Sequence, residues 1–196
     1  QRGGTQHHAL VFDAGDARAC QRLIWNTSSS MKLTITGYST ALYATWWFLE
    51  EWGLLFDCGD GAAAGLQQKG RKVKTIAVTH ADRDHLSGLL QFLQLNSRGV
   101  LPRIIYPADC GSFQALAGFS AAFDPHQEGA PEWVPVRVGD RVSIGKGRFL
   151  KVLPNDHVEG DLRQTKAVSF QVVEERRRLL PELATLTGPE IGALKK

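Results

Sequence analysis

The sequence predicts a layered α/β protein, and three observations lead to that prediction. A continuous apolar run at residues 75–79 has the pattern of a buried strand, and apolar residues at helical spacing follow it over 86–95. Closely spaced β patterns fill residues 134–153, with Gly-Asp and Gly-Lys-Gly turns between them, which indicates a run of hairpins. Strands with intervening helices, together with hairpins, are typical of sheets that are covered by helices.

The individual elements follow from the same patterns. The strands at 44–49 and 54–57 flank Glu51-Trp52-Gly53, which predicts a hairpin. The predicted strands are 32–37, 44–49, 54–57, 75–79, 103–106, 134–138, 141–144, 149–153 and 167–174. The predicted helices are 61–69, 86–95 and 111–123.

The composition is that of a globular protein. The chain has 196 residues, of which 43% are hydrophobic and 22% charged, so it can form one domain with a sizeable core. No apolar stretch approaches the roughly 20 residues of a membrane-spanning helix, so no membrane partner is expected. The net charge of +3 permits a polyanionic partner without requiring one. Three cysteines without paired spacing argue against a disulfide scaffold and predict a cytoplasmic protein.

Residues 1–30 differ from the rest of the chain and are predicted to be an N-terminal extension. The domain proper is expected to begin at Met31, the single methionine, and to run to residue 196. Two interpretations of the extension stay open. It is either a tag or upstream translation product, in which His7 and His8 are surface residues, or a native segment with a strand at residues 9–12.

The side chains that predict chemistry come directly after the strand at 75–79. His80, Asp82, Asp84 and His85 place four metal-binding side chains within six residues, between a buried strand and an amphipathic helix. Such a turn lies at the carboxyl end of a sheet, where α/β active sites are found. His80 and Asp82 alternate along the extended part, whereas Asp84 and His85 open the helix, and this geometry suits two adjacent cations. Imidazole and carboxylate ligands fit zinc, manganese or iron.

The segment from His80 to His85 resembles the first metal motif of the metallo-β-lactamase superfamily, His-x-His-x-Asp-His. Residues 54–61, LLFDCGDG, resemble the strand-Asp-x-Gly element of that superfamily and are especially close to its ribonuclease Z-like members. His157 ends a strand as the later lone metal-binding histidine does, and residues 168–195 look like the ribonuclease Z stretch that follows it. The resemblance implies a layered αββα fold, incomplete at the C-terminus because the family's bridging Asp and final His do not appear.

The resemblance also implies a role for each residue that matches the motif. His80, Asp82 and His157 would hold one metal ion, and Asp84 and His85 would belong to a second. Asp84 could also orient the nucleophile, which makes it the expected catalytic residue.

Three further positions qualify this assignment. The two expected divalent ions are zinc. Asp82 stands where the family has its second histidine, and because a carboxylate there favours harder ions, manganese is the alternative. Asp57 would steady the motif loop from behind the ligands, or bond backbone amides in a turn, or do both. His126 matches no motif position and is expected to be a surface loop residue.

The function implied is that of a metal-dependent hydrolase in which two cations share and acidify a water molecule. The leading expectation is a phosphodiesterase or ribonuclease resembling ribonuclease Z, with RNA or a small phosphodiester as substrate and a possible homodimeric assembly. The alternatives are a hydrolase of a small ester, lactone, thioester or cyclic phosphodiester, and a non-catalytic binding module with a site degraded at Asp82. Basic residues that could bind a phosphate backbone, or form only a solvated face, are Lys69, Arg71, Lys72, Lys74 and Arg176-Arg177-Arg178.

Overall fold

The fold is taken from a computed structural model, which describes residues 5–12, 21–26, 32–123, 129–158, 164–177, 186 and 190. The strands in this part of the chain are β1 Thr5–Phe12, β2 Gln21–Asn26, β3 Lys32–Thr40, β4 Ala44–Leu49, β5 Leu54–Phe56, β6 Thr75–Ala77, β7 Arg103–Pro107, β8 Trp133–Val136, β9 Arg141–Gly145, β10 Arg148–Pro154 and β11 Val168–Arg177. The helices are α1 Ala62–Leu66, α2 Arg83–Leu86, α3 Leu89–Asn96 and α4 Gly111–Phe123, with 3-10 segments at Glu50–Trp52 and Gln67–Lys72.

The strands form two sheets. The larger sheet has the order β2-β3-β4-β5-β6-β7-β8, antiparallel from β2 to β5 and parallel from β5 to β8. The smaller sheet is antiparallel throughout, in the order β1-β11-β10-β9. Because β5 to β8 are parallel, the segments that follow them emerge at one edge of the larger sheet, which we call the carboxyl edge. The opposite end of these strands is the amino edge.

Two apolar layers hold the sheets and helices together. Alternation along β4 shows how they are built, since Trp46 and Phe48 pack toward the helices while Leu49 packs toward the smaller sheet. Between the sheets the rings of Phe56 and Phe170 lie 6.1 Å apart, centroid to centroid. The described residues therefore form helix, sheet and sheet layers, and the prediction of a layered α/β fold is confirmed.

Most predicted elements are present, but the run of hairpins over residues 134–153 is wrong in its first member. Strand β8 pairs in parallel with β7, with Val134 opposite Ile105, whereas β9 pairs with β10 in the other sheet. The chain changes sheets at Gly139, whose φ of 94° suits glycine and whose N–H donates to the carbonyl of Val152 at 2.9 Å. The Gly-Asp turn is thus a crossover between sheets and not a hairpin.

The N-terminal residues contribute a strand to each sheet. β1 pairs with β11 over eight residues and includes the strand expected at 9–12, and β2, which the sequence patterns miss, pairs with β3 over six residues. The proposed domain start at Met31 lies outside the described residues, and the boundary there stays a prediction. No helix within the described ranges is long and apolar enough to cross a membrane.

Two of the predicted phosphate-binding lysines are engaged at the amino edge. Glu50, in the turn between β4 and β5, accepts from Lys72 Nζ at 2.7 Å and from Lys69 Nζ at 2.9 Å. These hydrogen bonds, the first from Lys72, lower the pKa of Glu50 from 4.5 to about 2. The two lysines therefore join the 3-10 segment before β6 to the β4–β5 turn, at the end of the sheet that lies opposite His80.

Replacing Glu50 by Gln is expected to remove a pH-dependent part of the stability. A carboxylate whose pKa is lower in the folded state stabilises fully above pH 4.5, and this contribution disappears as the pH falls toward 2. Because the pairs are on the surface, we expect roughly 0.2–1 kcal/mol per pair near neutral pH. Urea unfolding of both proteins at several pH values measures this, and a difference that does not shrink in acid would contradict the ion-pair explanation.

Candidate metal centre

The motif loop leaves β6 at the carboxyl edge and is held on both sides. Val78 N–H donates to the carbonyl of Ile105 on β7 at 2.9 Å, and Thr79 accepts at its carbonyl from Val168 N–H on β11, also at 2.9 Å. The backbone of Asp82 is extended, with φ −69° and ψ 145°, and helix α2 begins at the next residue. Both sheets therefore position the short segment that carries the predicted ligands.

Three of the predicted ligands form a compact donor group. The donor atoms of His80, Asp82 and His157 all lie within 4.8 Å of one another. Asp82 Oδ2 is 3.5 Å from His80 Nε2 and 3.9 Å from His157 Nε2. The His80 side chain is only 1% exposed, whereas those of Asp82 and His157 are 59% and 57% exposed. The group therefore has a buried floor and a mouth that is open to solvent.

The other two predicted ligands lie beside this group. His85 Nε2 is 3.4 Å from Asp84 Oδ2. The ring of His80 is flanked by the ring of His85, with centroids 4.0 Å apart, and by the ring of His157 at 4.6 Å. All five predicted ligand residues thus converge at the carboxyl edge, as three donors of one group and two of an adjacent one.

Asp57 lies behind the histidines and is completely buried. Its Oδ1 accepts from Thr79 N–H at 2.8 Å, and its Oδ2 is 2.8 Å from His85 Nδ1. Its own N–H donates to the carbonyl of Ala77 at 3.0 Å. Asp57 therefore bonds a backbone amide of the motif loop and also contacts an imidazole, which is the geometry that both expected roles require.

The two inner histidines have opposite pKa shifts. Burial, followed by the nearby His85, lowers the pKa of His80. Burial would lower the pKa of His85 as well, but the hydrogen bond and negative charge of Asp57 outweigh it and raise that pKa. The surroundings of His80 therefore favour the neutral ring, which is the protonation state in which imidazole binds metals.

The donor atoms fit a divalent cation. His80 Nε2 is buried and, among the described residues, has no hydrogen-bond partner. An unpaired buried polar atom costs on the order of 1–3 kcal/mol, unless a ligand completes it. Two imidazoles and a carboxylate are donors that suit zinc and its first-row neighbours. His80, Asp82 and His157 could therefore hold such an ion.

Two residues that support the ligands were not identified from the sequence. Asn155 Oδ1 accepts from His157 N–H at 2.8 Å, while its Nδ2 donates to Ser169 Oγ at 3.0 Å, which ties His157 to β11. Thr79 Oγ1 lies 2.9 Å from His80 Nδ1. A hydroxyl directly before the motif and an Asn-x-His sequence after a strand are the signals that predict them. His126 lies outside the described residues.

The sequence profile of the β-lactamase superfamily domain matches residues 53–194, which include the motif loop and His157. The chain belongs to the metallo-β-lactamase superfamily. This superfamily consists largely of metal-dependent hydrolases. No curated protein sequence matches the chain.

Several solved structures are similar to this chain in fold. They include Zn(2+)-bound PqqB from Methylobacterium extorquens, with 13% identity, 77% of this chain and 56% of that chain covered, and a TM-score of 0.42. A subclass B3 metallo-β-lactamase of Bradyrhizobium japonicum has 18% identity, coverages of 71% and 50%, and a TM-score of 0.40. The protein YhfI from Bacillus subtilis has 14% identity, coverages of 87% and 58%, and a TM-score of 0.44. The chain spans about half the length of these structures.

Close backbone contact at Gly59 and Gly88 fixes the position of helix α2. A Cβ on Gly88 would lie 2.2 Å from the carbonyl oxygen of Gly59, and one on Gly59 would lie 2.0 Å from that of Asp84. The contact is closed by hydrogen bonds from Gly88 N–H to the carbonyl of Cys58 at 2.9 Å and from Cys58 N–H to that of His85 at 2.7 Å. The same contact ends α2 at Leu86, so the single helix predicted over 86–95 is two helices.

Gly88→Ala is expected to destabilise the protein, because the added methyl group must displace backbone and not a flexible side chain. Overpacking of this kind costs about 1–3 kcal/mol. Gly118→Ala on α4 is the matched control, since nothing lies within 4 Å of its Cβ position and alanine favours helix by about 1 kcal/mol. Urea unfolding measures both. Equal stability of Gly88→Ala and the unmodified protein would show that the two loops are not in backbone contact.

Proposed function

We propose that the protein is a metal-dependent hydrolase with two divalent ions, zinc or, as an alternative, manganese. One observation carries the proposal. The donor atoms of His80, Asp82 and His157 lie within 4.8 Å of one another around a buried nitrogen that has no partner among the described residues. Membership of a superfamily made up largely of metal-dependent hydrolases supports it.

The roles of the residues follow from their positions. His80, Asp82 and His157 would hold one ion, and Asp84 and His85 the other. Bound ions of this kind supply Lewis acidity, which polarises the attacked group and makes a water molecule more acidic. The Asp84 side chain is 15% exposed, so its carboxylate can also accept a hydrogen bond from a water molecule and orient it toward the substrate.

For the substrate we propose a phosphodiester, in keeping with the resemblance of residues 54–61 to ribonuclease Z. Arg83 supports this class because it is exposed, lies between Asp82 and Asp84 in the chain, and makes no ion pair with the residues that the structure describes. A guanidinium there would offset the negative charge of a phosphate. RNA as the physiological partner and a homodimeric assembly stay predictions.

His157→Ala tests the metal centre most cleanly, because the side chain is 57% exposed and its loss leaves no cavity. We expect a change in unfolding free energy within about 0.5 kcal/mol. Hydrolysis of bis(p-nitrophenyl) phosphate and of a precursor tRNA by the full-length protein should fall at least about 100-fold, with loss of bound metal as measured by mass spectrometry. Asp156→Ala, at the neighbouring exposed position, is the control. Unchanged turnover and metal content in His157→Ala would reject the proposed centre.

Arg83→Gln separates a phosphodiesterase from an esterase. Removing the guanidinium should raise KM for bis(p-nitrophenyl) phosphate about tenfold, because a charge-assisted hydrogen bond to phosphate is lost. The neutral p-nitrophenyl acetate should be hydrolysed as before. Lys74→Gln, at the amino edge, is the control for this small substrate. A wild-type protein that hydrolyses only the acetate is an esterase, and one that binds metal without hydrolysing either substrate is a binding module.

A further inference from the structure

Thr79 is the hub of the hydrogen bonds behind the donor group. We propose that Thr79 is a positioning residue whose hydroxyl connects Asp57 to His80 and fixes His80 as the Nδ1–H tautomer, with the Nε2 lone pair facing the donor group. The proposal rests on the metal centre proposed above for its function, but the tautomer itself is a property of the metal-free protein.

The distances place the hydroxyl between a carboxylate and an imidazole. Thr79 Oγ1 is 3.1 Å from Asp57 Oδ1, 3.2 Å from Asp57 Oδ2 and 2.9 Å from His80 Nδ1. A longer contact of 3.4 Å reaches His85 Nδ1. Thr79 and Asp57 are both 0% exposed and His80 is 1% exposed, so water does not compete for these bonds.

Counting protons decides the direction of the bonds. A hydroxyl has one proton to donate, and an ionised carboxylate can only accept. If Thr79 donates to Asp57, its oxygen can accept from His80 only when Nδ1 carries a proton. The opposite direction would turn the lone pairs of the hydroxyl toward the carboxylate oxygens at 3.1–3.2 Å. It would also leave a proton on His80 Nε2, which makes no hydrogen bond with the described residues, since Asp82 Oδ2 lies 3.5 Å away.

His85 is fixed in the same way without an intermediary. Its Nδ1 is 2.8 Å from Asp57 Oδ2, so Nδ1 donates directly to the carboxylate, and in the neutral ring Nε2 carries no proton and lies 3.4 Å from Asp84 Oδ2. One buried carboxylate thus fixes the tautomer of both inner histidines. It acts on His85 by a direct hydrogen bond and on His80 through the hydroxyl of Thr79. Since the two rings belong to different ion-binding groups, Asp57 and Thr79 together prepare the donor atoms of both.

Thr79→Val and Thr79→Ser form the decisive pair of variants. Valine keeps the shape of threonine without the hydroxyl, and serine keeps the hydroxyl. Thr75→Val makes the same change in a buried residue of β6 at the amino edge and is the control. Long-range ¹H–¹⁵N correlation spectra of the metal-free, ¹⁵N-labelled full-length protein, at a pH where both imidazoles are neutral, report the tautomer of each histidine.

We expect His80 and His85 to be Nδ1–H tautomers in the unmodified protein, in Thr79→Ser and in Thr75→Val. In Thr79→Val, His80 should gain the Nε2–H tautomer while His85 keeps Nδ1–H. Affinity for Zn²⁺, measured by competition with a chelator, should fall about 10–100-fold in Thr79→Val and within about threefold in Thr79→Ser.

An Nε2–H tautomer of His80 in the unmodified protein would overturn the inference without any variant, even if Thr79→Val did not fold. So would a Thr79→Val protein in which His80 stays Nδ1–H and Zn²⁺ affinity is unchanged. A protein that has the expected tautomers but hydrolyses neither test substrate would reject the proposed hydrolase and support the role of Thr79. The two failures are therefore distinguishable.

Discussion

The structure depends on a completely buried carboxylate, Asp57, at the point where β5 ends. Its backbone has a φ of 54°, which turns the chain sharply, and its oxygens accept from Thr79 N–H and from the His85 ring. A buried charge of this kind is tolerated only when its acceptor positions are filled. The loops after β5 and β6 must therefore come together to satisfy Asp57. The same approach positions the inner histidines, His80 and His85, which the segment after β6 carries.

The neighbouring backbone leaves the same loops little freedom. The loop after β5 touches α2 at Gly59 and Gly88 with no room for a Cβ, and Val168 bonds the motif loop from the smaller sheet. The donor atoms therefore sit on segments that are fixed on three sides, and such preorganisation lowers the cost of ordering ligands when an ion binds. The unpartnered His80 nitrogen is the part of this arrangement that opposes folding, at roughly 1–3 kcal/mol.

The sequence groups the candidate ligand side chains more directly than it predicts which strands pair, for a physical reason. His80, Asp82, Asp84 and His85 are close along the chain, so a strand followed by a helix is enough to group them. The approach of His157 to these residues depends on the pairing of β10 with β11 and of β11 with the motif loop. Local spacing does not predict such pairing, so His157 could be added only through its resemblance to a known motif. Non-local pairing also explains the missed strand β2 and the crossover after β8, because local patterns do not specify which sheet a strand joins.

Thr79 and Asn155, which lie behind the candidate ligands, were harder to predict because hydroxyl and amide side chains form hydrogen bonds of many kinds in proteins. Thr79 reads locally as the last residue of an apolar strand, and its role appears only when Asp57 and His80 are seen on either side of it. The basic residues show the converse, since Lys69 and Lys72 suggest a phosphate surface in the sequence but bind Glu50 at the amino edge. These two lysines therefore lie at the end of the sheet opposite the donor group, and the charge pattern of the sequence alone does not reveal this.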